Sequence, residues 1–214
     1  LLELAAWIGD ELNIDFEFIN IGGGLGIPYR PEDAPVDLEA MSAGIGELFA
    51  QFDQANHYKP KLFMENGRYI TGPHGALVTR VINRKQSYRG FVGVDASMSA
   101  LMRPGMYGAY HHISALRHHN TRGNEVVDVV GSLCENNDKF AIDRELPRTQ
   151  EGDLLIIHDT GAHGHAMGFN YNGRLRPQEL LLHPDGTVER IRRAQTLEDY
   201  FATLKFIPDV MKRF

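Results

Sequence analysis

Five short stretches hold the residues that could do chemistry. Ile21-Gly22-Gly23-Gly24-Leu25-Gly26 is a glycine cluster at the end of an apolar run, and consecutive glycines let backbone N–H groups converge on a phosphate. The same residues could simply make a tight turn. The spacing departs from the dinucleotide fingerprint, and Pro28 and Pro31 follow where a helix would begin. Glu65-Asn66-Gly67-Arg68 sets a carboxylate beside a guanidinium, suited to a heterocyclic nitrogen and an anion, or to an ordinary surface ion pair. Cys134 and Glu135 sit together in a polar loop, where a lone cysteine is either a nucleophile or proton donor, or a small buried hydrophobe. In Leu101-Met102-Arg103-Pro104-Gly105-Met106-Tyr107, Pro104 disfavours helical backbone at Arg103, which predicts an irregular loop presenting Arg103 and Tyr107. Tyr171 lies in Phe169-Asn170-Tyr171-Asn172, a turn by composition.

The ten histidines invite a metal reading that their spacing does not support. His158, His163 and His165 fall in one segment, while His111-His112 and His118-His119 are adjacent pairs. Adjacent residues on a strand point to opposite faces and cannot ligate one ion together. With one cysteine and no CxxC or HExxH pattern, no metal site is expected.

The elements that must position these residues change character along the chain. Residues 14–18 alternate apolar and polar and continue to the glycine cluster, which predicts a strand ending in a turn. Leu38, Met41, Ile45, Leu48, Phe49 and Phe52 recur at helical spacing, predicting an amphipathic helix over 36–53. Leu62-Phe63-Met64 is a continuous apolar run, predicting a strand covered on both faces. Strands alternating with helices are the grammar of a parallel α/β barrel or sheet. From about Gly75 the pattern becomes short runs rich in valine and isoleucine at 77–82, 91–95, 125–130 and 153–158, separated by turn residues at 120–124, 136–138 and 185–186. A last helix is expected over 196–204. The first residues start in mid-helix without a cap, so the sequence is expected to begin inside a larger protein.

Composition narrows the classes. The 214 residues are 43% hydrophobic and 23% charged, within the globular range. A net charge of −6 without a basic run argues against nucleic acid, and no apolar run reaches the length of a membrane span. The single cysteine excludes an internal disulfide and fits a reducing, cytoplasmic setting.

In order along the chain, IGGGLG, ENGRYI, VDASMSALMRPGMYGAYH, GSLCENND and DTGAHGHAMGFNYNGRLRP closely resemble the second half of the diaminopimelate decarboxylase family, over essentially the whole sequence. The resemblance implies an alanine-racemase-like architecture: residues 1–75 as the last part of a (β/α)8 barrel binding pyridoxal 5′-phosphate (PLP), then residues 76–214 as a C-terminal β-barrel or sandwich domain with a terminal helix. It implies a homodimer with shared active sites. Gly22, Gly23 and Gly24 would line the cofactor phosphate, with Asn66, Gly67 and Arg68 completing that site. Glu65 would pair with the pyridine nitrogen, and Tyr171 would touch cofactor and substrate. Arg103 and Tyr107 would bind the distal carboxylate of an amino-acid substrate, Glu135 its distal ammonium, and Arg68 would also reach the substrate. Cys134 would return a proton to Cα across the dimer interface. Ornithine and arginine decarboxylases of the same fold read a purely cationic distal end, which Arg103 would repel. A non-catalytic homologue is the further alternative. The sequence departs from the family at Asn66, where proline is usual, and at Ser132-Leu133. None of its lysines, Lys59, Lys61, Lys85, Lys139, Lys205 and Lys212, matches the family's Schiff-base lysine.

Overall fold

The computed structural model describes residues 1–116 and 123–205; His118, His119, Asn120 and Lys212 lie outside them. Helix α1, Leu2–Leu12, stops where Asn13 turns left-handed (φ 54°) and donates its N–H to the Gly9 carbonyl. The Ile14 N–H donates to the same carbonyl at 3.0 Å, so the chain is still leaving the helix there. The strand expected from residue 14 therefore begins only at Phe18: β1 is Phe18–Asn20. Helix α2 spans Leu38–Asn56, with the Asp37 side chain accepting from the Ala40 N–H as its N-cap. It buries Phe49 and Phe52 against Ala5 and Ile19.

Strand β2, Lys61–Phe63, pairs in parallel with β1, Asn20 opposite Phe63. The expectation that this strand is covered on both faces fails: Leu62 and Phe63 are 40% and 49% exposed. Among the described residues its sheet has only two strands, so one edge of β2 and much of its apolar surface meet no neighbour. A five-residue helix α3, Gly67–Thr71, follows at once and runs into a 3₁₀ turn, Gly72–His74.

From Leu77 the chain builds a six-stranded mixed sheet. Its strands are β3 (Leu77–Gln86), β4 (Gly90–Val94), β5 (Ile113–Leu116), β6 (Asn124–Val130), β7 (Lys139–Pro147) and β8 (Leu154–Ile157). The spatial order is β5-β8-β3-β4-β6-β7, antiparallel except for β4 beside β6. The edge strands β5 and β7 touch, so the sheet nearly closes on itself around Val81, Val92, Val94, Val129, Phe140, Leu155 and Ile157. Strands β5 and β7 are not legible from apolar runs. Strand β7 is charge-rich and kinked by a left-handed Asp143 (φ 48°).

The segment carrying Arg103 corrects a second expectation. Arg103–Tyr107 is a short helix, α4, not an irregular loop. Pro104 sits in its first turn, where the missing N–H has no partner to lose. A hairpin of β9 (Glu179–Leu182) and β10 (Val188–Arg192) turns at Asp185-Gly186. Helix α5, Leu197–Phe201, is shorter than expected and opens on a capping box of Thr196 and Asp199.

Candidate active site

The ends of β1 and β2 carry the glycine cluster and Glu65, and the two loops lock together. The Glu65 N–H donates to the Gly22 carbonyl at 2.8 Å, and Asn20 donates from Nδ2 to Glu65 Oε1 at 2.6 Å. Asn20 also accepts from the Gly22 N–H at 2.8 Å. A side chain at position 23 would collide with the Glu65 carbonyl, its Cβ falling 2.2 Å away. Gly22 and Gly24 have positive φ (75° and 98°), and the space a Cβ would occupy there is open. The cluster is thus a turn with its backbone accessible from outside. Asn20 was not singled out in the sequence, although a polar residue closing an apolar strand is a readable signal.

Directly below, buried polar groups lack partners. Asn66 Oδ1 and Arg68 Nε are buried without a hydrogen-bond partner. The Arg68 guanidinium and the open N–H groups of the glycine turn are donors that suit an anionic headgroup, whereas Asn66 Oδ1 is an acceptor and does not belong to that set. These donors fit the phosphate of PLP.

Arg103 reaches the same place from α4. It is 8% exposed, its Nη1 donates to Tyr29 Oη at 2.7 Å, and it lies 3.3 Å from His111 Nε2. Among the described residues no carboxylate lies within ion-pair distance of it. The guanidinium carbons of Arg68 and Arg103 are 6.0 and 5.5 Å from the centre of the Tyr29 ring. Burial, with both guanidiniums nearby, holds His111 below the ordinary histidine value, and His163 is lowered by the same causes. Two cations and neutral imidazoles around one tyrosine make a receptor for an anion.

Cys134 and Glu135 form a second grouping. Cys134 is exposed, and Asn172 donates from Nδ2 to its Sγ at 3.3 Å, which brings the Tyr171 loop beside it. Glu135 Oε1 accepts from the Asn137 N–H at 3.1 Å. The loop is fixed by buried Asp138, whose two oxygens accept from the Met98 and Leu133 N–H groups at 2.6 and 2.8 Å. Helix α4 packs so closely here that a Cβ on Gly105 would meet the Asn137 carbonyl at 2.1 Å. Exposed Tyr107 ends that helix. Among the described residues, no hydrogen bond or ion pair links Cys134 or Glu135 to Glu65, Arg68 or Arg103. The structure thus ties the Gly22–Gly24 turn to Glu65 and sets Arg68 and Arg103 about Tyr29, while Cys134 meets the Tyr171 loop and its own loop packs against α4.

The His111-His112 pair resolves differently from a strand pattern. His111 and His112 precede β5, with His111 fully buried and the His112 ring 5.3 Å from that of His158. No group of three potential ligands is placed to hold a metal among the described residues, and none of their helices is long and apolar enough to cross a membrane.

Residues 36–161 match the family model described as pyridoxal-dependent decarboxylase, C-terminal sheet domain. Protein TabA of Pseudomonas amygdali pv. tabaci is 57% identical over 208 residues, covering 97% of this chain and 49% of that protein. Diaminopimelate decarboxylase of Methanothermobacter thermautotrophicus is 43% identical over 202 residues, covering 93% and 46%. The crystal structure of diaminopimelate decarboxylase from Methanocaldococcus jannaschii in complex with L-lysine superposes with a TM-score of 0.86 at 36% identity, covering 97% of this chain and 47% of that one. The chain thus spans about half the length of the relatives it matches. Family model and superposition agree with the nearly closed sheet described above: this chain belongs to the pyridoxal-dependent decarboxylases through their C-terminal sheet domain, and the family's cofactor is PLP.

Proposed function

We propose that the chain supplies the second half of a PLP-dependent decarboxylase acting on meso-2,6-diaminopimelate and releasing L-lysine and carbon dioxide. In this reading residues 1–75 are the last part of the cofactor-binding barrel and residues 76–214 the β domain. The cofactor-anchoring lysine lies outside the 214 residues, and the working form is a cytoplasmic homodimer. The observation that carries the reading is Arg103, a nearly buried guanidinium without a carboxylate partner among the described residues. A buried unpaired cation is costly unless a ligand anion completes it. A purely cationic distal end, as in ornithine or arginine, would leave that cost unmet. The relative solved with L-lysine shows that a protein of this fold takes an amino acid with a carboxylate remote from its side-chain amine.

PLP, when bound, would supply an electron sink for the loss of the α-carboxylate. The residues of this chain do the rest. Gly22, Gly23, Gly24, Asn66, Gly67 and Arg68 would line the phosphate, with donors from the Gly23, Gly24 and Asn66 N–H groups and the Arg68 guanidinium, the Gly22 and Gly67 N–H groups staying on Asn20 and the Glu65 carbonyl. Glu65, oriented by Asn20, keeps a proton on the pyridine nitrogen. Arg103 and Tyr107 grip the distal carboxylate and Glu135 the distal ammonium, so only one end of the molecule can be presented for cleavage. Tyr171 contacts cofactor and substrate, and the Cys134 thiol gives its proton to Cα.

The test is carbon-dioxide release by a protein of the relatives' full length carrying this sequence, supplied with PLP. Its panel is meso-diaminopimelate, ornithine, arginine and lysine. Release from diaminopimelate alone is expected, and Arg103→Met should cost about a hundredfold in kcat/KM. Release from ornithine or arginine instead would overturn the reading of Arg103. Silence on all four would turn the reading to a non-catalytic homologue.

A further inference from the structure

The mechanism above leaves one fully buried titratable group without a task. His111 is 0% exposed, yet both ring nitrogens have partners of different kinds. Its Nδ1 lies 2.8 Å from the His158 carbonyl, which can only accept, so Nδ1 carries the proton. Nε2 is then a lone-pair acceptor, and it faces Arg103 Nη1 at 3.3 Å. We infer that His111 is a positioning residue, a neutral acceptor that fixes the Arg103 guanidinium for the distal carboxylate of the ligand. This rests on the reading of Arg103 given above.

The ring is held from every side. Arg144 of β7 donates from Nη1 to the His111 carbonyl at 2.9 Å. Arg144 in turn stacks 4.1 Å from the Tyr110 ring, whose centre also lies 3.9 Å from the Arg30 guanidinium. The His158 carbonyl belongs to the end of β8, and the Tyr29 ring meets the imidazole edge-on at 5.3 Å. Tyr29 Oη accepts from the same Nη1 that faces His111, so one corner of the guanidinium is pinned between two acceptors from different parts of the chain. The remaining N–H groups are left to the ligand.

The charged and titratable groups around His111 are Arg103, Arg68 and Arg144, with Asp159, His158 and Tyr29. Three cations against one carboxylate favour the uncharged imidazole. A protonated ring would turn Nε2 into a donor aimed at a guanidinium and release Arg103. A histidine that merely fills the core would need no acceptor on that side, and phenylalanine would serve as well.

The experiment uses the PLP-loaded protein of the relatives' full length and two probes, L-lysine and cadaverine, which differ by the carboxylate that Arg103 would grip. Dissociation constants come from calorimetry, for the unsubstituted protein, His111→Phe and His111→Gln. Phenylalanine keeps the ring and loses the acceptor, whereas glutamine restores an acceptor oxygen. The expected result is that His111→Phe weakens lysine about tenfold relative to cadaverine, and His111→Gln recovers most of the preference. Nitrogen-15 spectra of the unsubstituted protein should show the His111 ring neutral and protonated at Nδ1 at pH 7 to 8. An equal loss for both probes, or a charged His111 ring in that range, would overturn the inference while leaving the decarboxylase reading in place. Equal binding of lysine and cadaverine by the unsubstituted protein would overturn the role given to Arg103, and this proposal with it.

Discussion

Cys134 is the only cysteine of the sequence and stands exposed, with the Asn172 amide donating to its sulfur. A filler cysteine would be buried among apolar side chains; this one is aimed outward from a loop that buried Asp138 pins to the 95–99 segment. Its surroundings suit a proton donor that works on a ligand held by another copy. Cys134→Ala should therefore lower kcat by at least about a hundredfold, the usual worth of a positioned proton donor, and leave L-lysine binding unchanged. Comparable loss in both quantities would mean that the residue shapes the site and does not move a proton. Alkylation adds a direct check: iodoacetamide should label Cys134, read from its own peptide by mass spectrometry, and bound L-lysine should slow that labelling.

Individual elements are held by ties that the sequence pattern does not reveal. Arg84 of β3 forms a two-pronged pair with Glu125 of β6, both contacts at 2.6 Å, although β4 lies between those strands in the sheet. The pair reaches across the Gly90 end of β4 and also takes in Thr149. Hydrogen bonding from Arg84 holds the Glu125 carboxyl below its ordinary 4.5 and raises Arg84 correspondingly. A carboxyl lowered in the folded state contributes stability that is complete above pH 4.5 and lost as pH falls through the lowered folded value. Glu125→Gln should cost about 1 kcal/mol at pH 7, and the gap to the unsubstituted protein should close on acidification, as read from urea midpoints between about pH 7 and pH 3. A pH-independent gap would assign the effect to packing.

The same scale shows what could be read from residues alone. Helix α2 was legible because its apolar positions follow one face, and β3, β4, β6 and β8 because they fall in short runs rich in valine, isoleucine or leucine. Strand β7 was not, since Asp143, Arg144 and Glu145 mask its alternation, and their pairing partners lie in distant segments. Arg103 was singled out, but its helix was missed because a proline reads as a breaker unless its place in the first turn is known. Glu65 and the glycines were singled out from type and position, and the structure joins them by the Glu65 N–H to Gly22 carbonyl bond. Asn20, Tyr29 and His111 were not, because their importance lies in contacts to residues 45, 74 and 8 positions away that no local spacing encodes.

At the scale of the molecule, the apolar surface is distributed unevenly. The six-stranded sheet encloses its own core, with Val92, Val94, Val129, Leu155 and Ile157 fully buried. Around β1 and β2 the reverse holds: Phe18, Leu62 and Phe63 are about half exposed, and Trp7 on α1 is 60% exposed. A parallel pair of three-residue strands is not a self-sufficient unit, since parallel sheets are ordinarily covered on both faces and joined by further strands. The relatives are about twice as long, and on the proposed reading their other half is what covers this surface. The 214-residue chain expressed by itself should accordingly be cut by chymotrypsin first within residues 1–75, at sites such as Trp7, Phe18 and Phe63. A resistant piece starting near Leu77 should persist, because cleavage follows local opening and the closed sheet opens least. The fragments would be mapped by mass spectrometry over a time course. If the first seventy-five residues resist as long as the sheet does, and the whole chain melts in one cooperative step, then α1, α2 and the two short strands are stabilised by the sheet domain itself. The contacts at Tyr29–Arg103, Thr160–Gly75 and Gly161–Gly72 would be the ones that do it.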